Sequence, residues 1–189
     1  MAGIRTINVP IGPAIVEYGE GADMVVFDIT KGGINFKAQM SKQDTTVDQY
    51  GDSVVKSTTK GGTAEVTVPF ALYDLDKLSA AIPNSTLVVD GADPTKKKLV
   101  VSGKAGHDML KDAKKLVIKP IDPEATANDW ITIPLAGAMT DLEYTYDSDN
   151  ERIANLTFAA YPDTLGNGDL YILGDETADA ANTAPSTGA

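Results

Sequence analysis

The chain contains a single histidine, His107, set beside Asp108 in GKAGHDML (residues 103–110). A histidine next to a carboxylate is the base of a serine-type hydrolase, but that chemistry also needs a nucleophile held on a strained strand-to-helix turn. No Gly-x-Ser-x-Gly occurs in the sequence. His107 is therefore read as a surface residue at the start of a helix. One histidine and no cysteine leave too few nitrogen and sulfur ligands for a zinc site, and also exclude disulfides and thiolate nucleophiles.

Oxygen-based chemistry fares little better. YDSDNER (146–152) offers Asp147, Asp149, Asn150 and Glu151 as hard ligands of the kind calcium takes. Their spacing departs from an EF-hand loop, and the glycine of its sharp turn is missing. Asp-Ser-Asp-Asn between two alternating segments reads more simply as a hairpin turn. A glycosidase needs two facing carboxylates, but among 27 acidic residues such a pair carries no information. GKAGHD lacks the length and the Gly-Lys-Ser/Thr ending of a phosphate loop, and the lysines of DPTKKK (93–98) read as a solvated turn. No catalytic residue, metal or cofactor is expected, and the chain is expected not to be an enzyme.

The elements that would position any site are mainly β. Period-two alternation, the mark of a strand with one buried face, runs through GINFKAQM (33–40), AEVTV (64–68), DLEYTYD (141–147) and ANLTFAA (154–160). More evenly apolar strands are expected at 14–18, 24–27, 87–89, 98–103 and 115–121. Helical spacing appears twice. Leu72, Leu75, Leu78 and Ile82 recur at intervals of three and four before Pro83, and Met109, Leu110 and Ala113 share a face within residues 106–115. The two Lys-Gly-Gly triplets, at 31–33 and 60–62, read as turns. The expected architecture is an antiparallel β-sandwich or barrel with one or two short flanking α-helices, in one domain over residues 1–175. Residues 176–189 lack large apolar side chains and read as a flexible or assembly-ordered tail.

The chain has 189 residues and a formal charge of −11, from 16 basic and 27 acidic side chains. Binding to phosphate backbones needs clustered Lys and Arg, so this balance argues against a nucleic-acid clamp. It suits a surface that nucleic acid must pass without sticking, since like charges repel over about 8 Å at physiological salt. The opening residues carry no apolar signal-peptide core, and no run approaches the ~18 apolar residues of a membrane span. Synthesis and folding in the cytosol, with no membrane partner, are expected.

Residues 41–62, SKQDTTVDQYGDSVVKSTTKGG, are too polar to anchor in a core and too rich in Thr, Val and Tyr for a loose loop. A polar excursion of this length inside a compact domain is commonly functional, and ordering by pairing with another copy is the physically sensible use.

The succession GPAIVEYG (12–19), KGGINF (31–36), VDQYGDSVV (47–55), YDLDKL (73–78), GKAGHDMLKDAKKL (103–116), FAAYPD (158–163) and LYILGD (170–175) resembles the major tail tube proteins of tailed bacteriophages. The match lies in the order and spacing of these pieces over residues 12–175. It implies a fold shared with contractile-tail and type VI secretion tubes, and a virion subunit made in the host cytoplasm. Such subunits form hexameric rings, stacked into a hollow tube that conducts the genome into the host. The implied partners are other copies of the chain, the tail terminator and the baseplate or tip proteins. Tape-measure protein and DNA would occupy the lumen without specific binding. By the same resemblance, residues 41–60 form the loop that reaches a neighbouring subunit, through Asp44, Thr45, Thr46, Val47, Asp48, Gln49, Tyr50, Gly51 and Asp52. Glu65, Asp141 and Glu143, on the wet faces of alternating strands, are the candidate lumen acids. The alternative is a non-enzymatic β-sandwich adhesin, carbohydrate-binding module or virion decoration protein.

Overall fold

The computed structural model describes residues 12–178 apart from 141, 145, 147 and 150. The expected mainly-β fold with a short helix is what it shows. Ten strands are described: β1 (Ala14–Tyr18), β2 (Val25–Phe27), β3 (Asn35–Thr46), β4 (Val54–Phe70), β5 (Ser85–Val89), β6 (Lys97–Val101), β7 (Lys114–Pro120), β8 (Ile131–Ala138), β9 (Ala154–Tyr161) and β10 (Ile172–Leu173). Among the described residues a single α-helix, α1 (Leu75–Ala81), follows β4. One antiparallel sheet runs β2-β1-β7-β8-β9-β4-β3, with β10 added to β8, while β5 and β6 form a separate hairpin.

The large sheet rolls up on itself. β2 begins the order and β4 stands near its far end, yet Thr30, just beyond β2, bridges to Phe70 of β4. Two backbone bonds of 3.0 Å flank that bridge, from Lys31 N–H to Pro69 O and from Ala71 N–H to Ile29 O. The rings of Phe27 and Phe70 meet edge to face, with centroids 5.3 Å apart. Alternation decides what the rolled sheet encloses. Ala64, Val66, Val68 and Phe70 of β4 point inward with Leu156 and Phe158 of β9, Val16 and Tyr18 of β1, Leu116 and Ile118 of β7, and Ile133 of β8. Each Val, Leu, Ile or Phe among them removed from water contributes about 1.5–3 kcal/mol before chain entropy is counted. Tyr18 is the polar member of this core. Its hydroxyl donates to Ala136 O at 3.1 Å or Asp112 O at 3.2 Å, and burial, reinforced by Asp112 and Tyr161, pushes its pKa up to about 12.

The helix expected at 72–82 is shorter, because Asp74 caps it. The Asp74 carboxylate accepts from the N–H groups of Asp76 (2.9 Å) and Lys77 (3.5 Å), so the helical turns begin at Leu75. Leu78 and Ala81 form its buried face. The second expected helix does not form. Pairing of β7 with β8 begins at Lys114, and what remains is a 3₁₀ turn at Met109–Asp112, too short to repay helix nucleation. Residues 142–144 and 146 of the expected strand DLEYTYD have no strand partner. They belong to the connection from β8 to β9, and their alternating tyrosines stack instead: Tyr144 lies 6.3 Å from Tyr73 and 6.4 Å from Tyr146. The second Lys-Gly-Gly is also not a turn. It lies inside β4, where Ser41 faces Gly61 and Lys42 faces Thr59, leaving Lys60 as the extra residue of a bulge. The expected C-terminal tail falls mostly outside the described residues. Of its start, Thr177 N–H and hydroxyl donate to the Asp175 carboxylate at 2.9 and 2.7 Å.

Candidate functional site

Beyond the rolled sheet, β3 and β4 continue together as a two-stranded arm. Thr46 and Val54 close the pairing, and residues 41–61 are exposed throughout. At about 3.3 Å per residue, the stretch from Met40 to Thr46 carries the arm about 20 Å outward. The tip is a 3₁₀ turn, Asp48–Tyr50, held by Tyr50 N–H to Val47 O (3.0 Å) and Ser53 N–H to Tyr50 O (3.2 Å). Gly51 ends it at φ 57°, a left-handed conformation that glycine adopts without strain.

The residues singled out from the sequence gather here. Asp44, Thr45 and Thr46 lie on β3, Val47 precedes the tip turn, Asp48, Gln49 and Tyr50 form it, and Gly51 and Asp52 lead back to β4. Their pairing differs from the expectation of a segment ordered by another copy, because residues 41–46 pair with 54–61 of the same chain. The inner backbone groups of the arm are thereby satisfied, while the outer edges of the ribbon remain available. Large apolar side chains are left in water: Tyr50 is 68% exposed and Val54 52%, with Met40 and Val55 also uncovered. A two-stranded ribbon wet on both faces is marginal by itself.

Two devices hold the arm in place. At its root, Phe36 of β3 packs edge to face on Tyr171, with centroids 5.3 Å apart. Nearby, a Cβ on Gly62 would fall 2.5 Å from Met40 Sδ, 3.2 Å from Gln39 O and 3.5 Å from the Leu170 side chain, so a larger residue there would push the exposed Met40 side chain aside. Midway along, Asp44 faces Ser57 across the strands and accepts from its hydroxyl at 2.5 Å, while Lys42 Nζ lies 3.0 Å from the same carboxylate. The Ser57 hydrogen bond, then that of Lys42, hold the Asp44 carboxyl below the usual carboxylate range. A depressed folded pKa means that this clasp is at full strength above the unfolded pKa and is lost as pH falls through the folded one. In a carboxyl-detected NMR titration, Asp44 is expected to protonate below the usual carboxylate range. The cross-strand contact with Ser57 should weaken in step with it, and Asp44→Asn should abolish that step.

The other candidates are dispersed. Glu65 stands exposed on the outward face of β4, opposite Lys37 and Ala159. Glu143 is exposed in the β8–β9 connection rather than on a strand, and Asp141 lies outside the described residues. His107 Nε2 sits 2.5 Å from the Asp112 carboxylate, and Asp108 accepts from Leu110 N–H at 3.2 Å. His107 and Asp112 border a cleft of about 500 Å³ with Ser79, Ser85 and Ser102. The Ser85 hydroxyl is turned onto backbone, Ile82 O at 2.8 Å and Ser79 O at 3.2 Å. In YDSDNER, Asp147 and Asn150 lie outside the described residues, Glu151 pairs with Lys31, and Arg152 stands over the Tyr146 ring at 5.0 Å. Among the described residues, no group of three His, Asp or Glu is placed to hold a metal, and no helix is long and apolar enough to cross a membrane.

Sequence reasoning missed two surfaces. One is the Tyr73–Tyr144–Tyr146 stack under Arg152, where the alternating pattern was credited to a strand. The other is the β5–β6 hairpin, whose Val88 and Val100 are 40% and 49% exposed although both sit in apolar runs. No protein-family model matches the chain, and no curated protein matches it.

Proposed function

We propose that this chain is the structural subunit of a bacteriophage tail tube, whose copies close into hexameric rings and stack into a hollow conduit for DNA. The observation that carries the reading is the arm. About 20 Å of paired backbone is anchored by Phe36 and the Asp44 clasp, yet adds nothing to the core of its own chain and holds Tyr50 and Val54 in water. An ordered projection with exposed apolar anchors is what a contact to another copy requires. The rolled antiparallel sheet agrees with the fold that the resemblance implies. The charge of −11 suits a wall that DNA slides past, with Glu65, Glu143 and Asp141 as the lumen candidates. In this reading the protein is not an enzyme; it acts in the virion, with terminator and baseplate or tip proteins at the tube ends and tape-measure protein inside.

One observation favours a second reading, a glycan-binding adhesin or decoration module. Tyr73 and Tyr146 are 61% and 74% exposed, as sugar-stacking rings are. Against it, Arg152 already stands over both, 5.9 and 5.0 Å from their centroids. Negative-stain electron microscopy and sedimentation of the purified full chain separate the two. Hollow rings or tubes are expected, and a monomer at every concentration that is retained by glycans would sink the tube reading.

A further inference from the structure

The three lysines of DPTKKK are not equivalent in the folded chain. Lys96 pairs with Asp93 at 3.5 Å and Lys97 with Asp76 at 2.6 Å, whereas Lys98 has no ion pair among the described residues. The register of the β5–β6 hairpin explains where Lys98 points. Leu87 and Leu99 face each other, and Leu99 packs against the core, so the pairs on either side, Val88 with Lys98 and Thr86 with Val100, turn outward. The outer face is thus a lysine between two exposed valines, on a ribbon of two strands that forms no part of the large sheet.

The arm carries the complementary set. Asp44 is occupied by Ser57 and Lys42, but Asp48 and Asp52 at the tip have no ion pair among the described residues and flank Tyr50. We infer that the arm tip of one copy seats on the outer face of the β5–β6 hairpin of a second copy, with Tyr50 against Val88 and Val100 and the tip acids on Lys98. This rests on the self-assembly reading above and names the surface that the arm grips. The match is of two kinds. An aromatic anchor meets small apolar neighbours at the centre, the arrangement that carries most interface energy. Free acids also meet a free lysine, which fixes partner and register and excludes like-charged faces elsewhere on an acidic protein.

The absence of cysteine from the sequence makes the test clean. A full chain carrying Asp48→Cys is mixed with one carrying Lys98→Cys and oxidised, beside a control in which Glu124→Cys replaces the second partner. A disulfide-linked heterodimer is expected at least about tenfold more abundant than in the control. Because each chain carries one cysteine, that product reports contact between copies. Lys98→Glu should raise the concentration at which assembly begins by roughly tenfold, about 1.4 kcal/mol. Adding Asp48→Lys and Asp52→Lys to the same chain should restore assembly. If the chain assembles but the Asp48–Lys98 link is no more frequent than the control, or Lys98→Glu assembles as wild type does, this docking surface is wrong and the tube reading stands. If the unsubstituted chain stays monomeric at every concentration, both fall.

Discussion

Replacing residues 43–58 by a tight Asn-Gly turn is expected to leave a folded monomer and to abolish the ring and tube assembly proposed above. The register makes the excision clean. Lys42 and Thr59 face each other directly, so the turn closes two residues that are already cross-strand partners. None of the removed side chains belongs to the buried core, and the root contacts of Phe36, Met40, Gly62 and Tyr171 all remain. The melting temperature should therefore move by no more than a few degrees, the shift that about 1 kcal/mol produces in a domain of this size. Sedimentation and electron microscopy should meanwhile lose every assembled species. Far-ultraviolet circular dichroism separates this outcome from simple unfolding. Tubes grown from the shortened chain would show that the arm is not what joins the subunits.

The opposite pattern is expected of Phe158→Ala. Phe158 is fully buried on β9, where it faces Val66 of β4 and Ala138 of β8. Its ring lies 4.8 Å from that of Tyr18 and 6.0 Å from that of Phe27, so it joins β1, β2 and the centre of the rolled sheet in one contact. Truncating a phenylalanine in such a place costs about 3–5 kcal/mol, from lost transfer energy and the cavity left behind. Against a total of roughly 5–15 kcal/mol, that is a large share of the stability. Denaturant titration should show a markedly lower midpoint, and assembly should fail because the subunit fails. Tyr50→Ala is the informative contrast. With its ring 68% exposed, it should leave the midpoint nearly unchanged and weaken assembly alone. A Phe158→Ala chain as stable as wild type would mean that the core is not centred on this residue.

Residues 41–60 were recognisable in the sequence as an excursion with work to do outside the core, because their polarity and β-propensity conflict. That conflict is local. The direction of the arm and its self-pairing are not, since they depend on the β3–β4 register and on Phe36 meeting Tyr171, residues more than a hundred positions apart along the chain. Lys98 makes the same point. In sequence it is one of three lysines in a turn, and only the structure turns it outward past Leu99, pairs Lys96 and Lys97 with Asp93 and Asp76, and gives it no ion pair among the described residues.

By itself the sequence determined the β-rich class, the alternating strands at 33–40, 64–68 and 154–160, a helix around Leu75 and Leu78, and the absence of thiol chemistry. These follow from side-chain period and residue type, which need no partner to be read. Only the tertiary structure decided which segments find an edge to pair with. β8 was invisible because ITIPLAGA (131–138) carries a proline and small residues, features that argue against a central strand. It is central all the same, because Pro134 falls where the β7–β8 register shifts between Lys114 and Leu116, so its missing N–H breaks no regular ladder. DLEYTYD fails for the converse reason: the alternation is present, but Leu142, Glu143, Tyr144 and Tyr146 reach no strand edge, and the tyrosines stack on one another instead. A strand is a property of two segments, and a single stretch of sequence records only one of them.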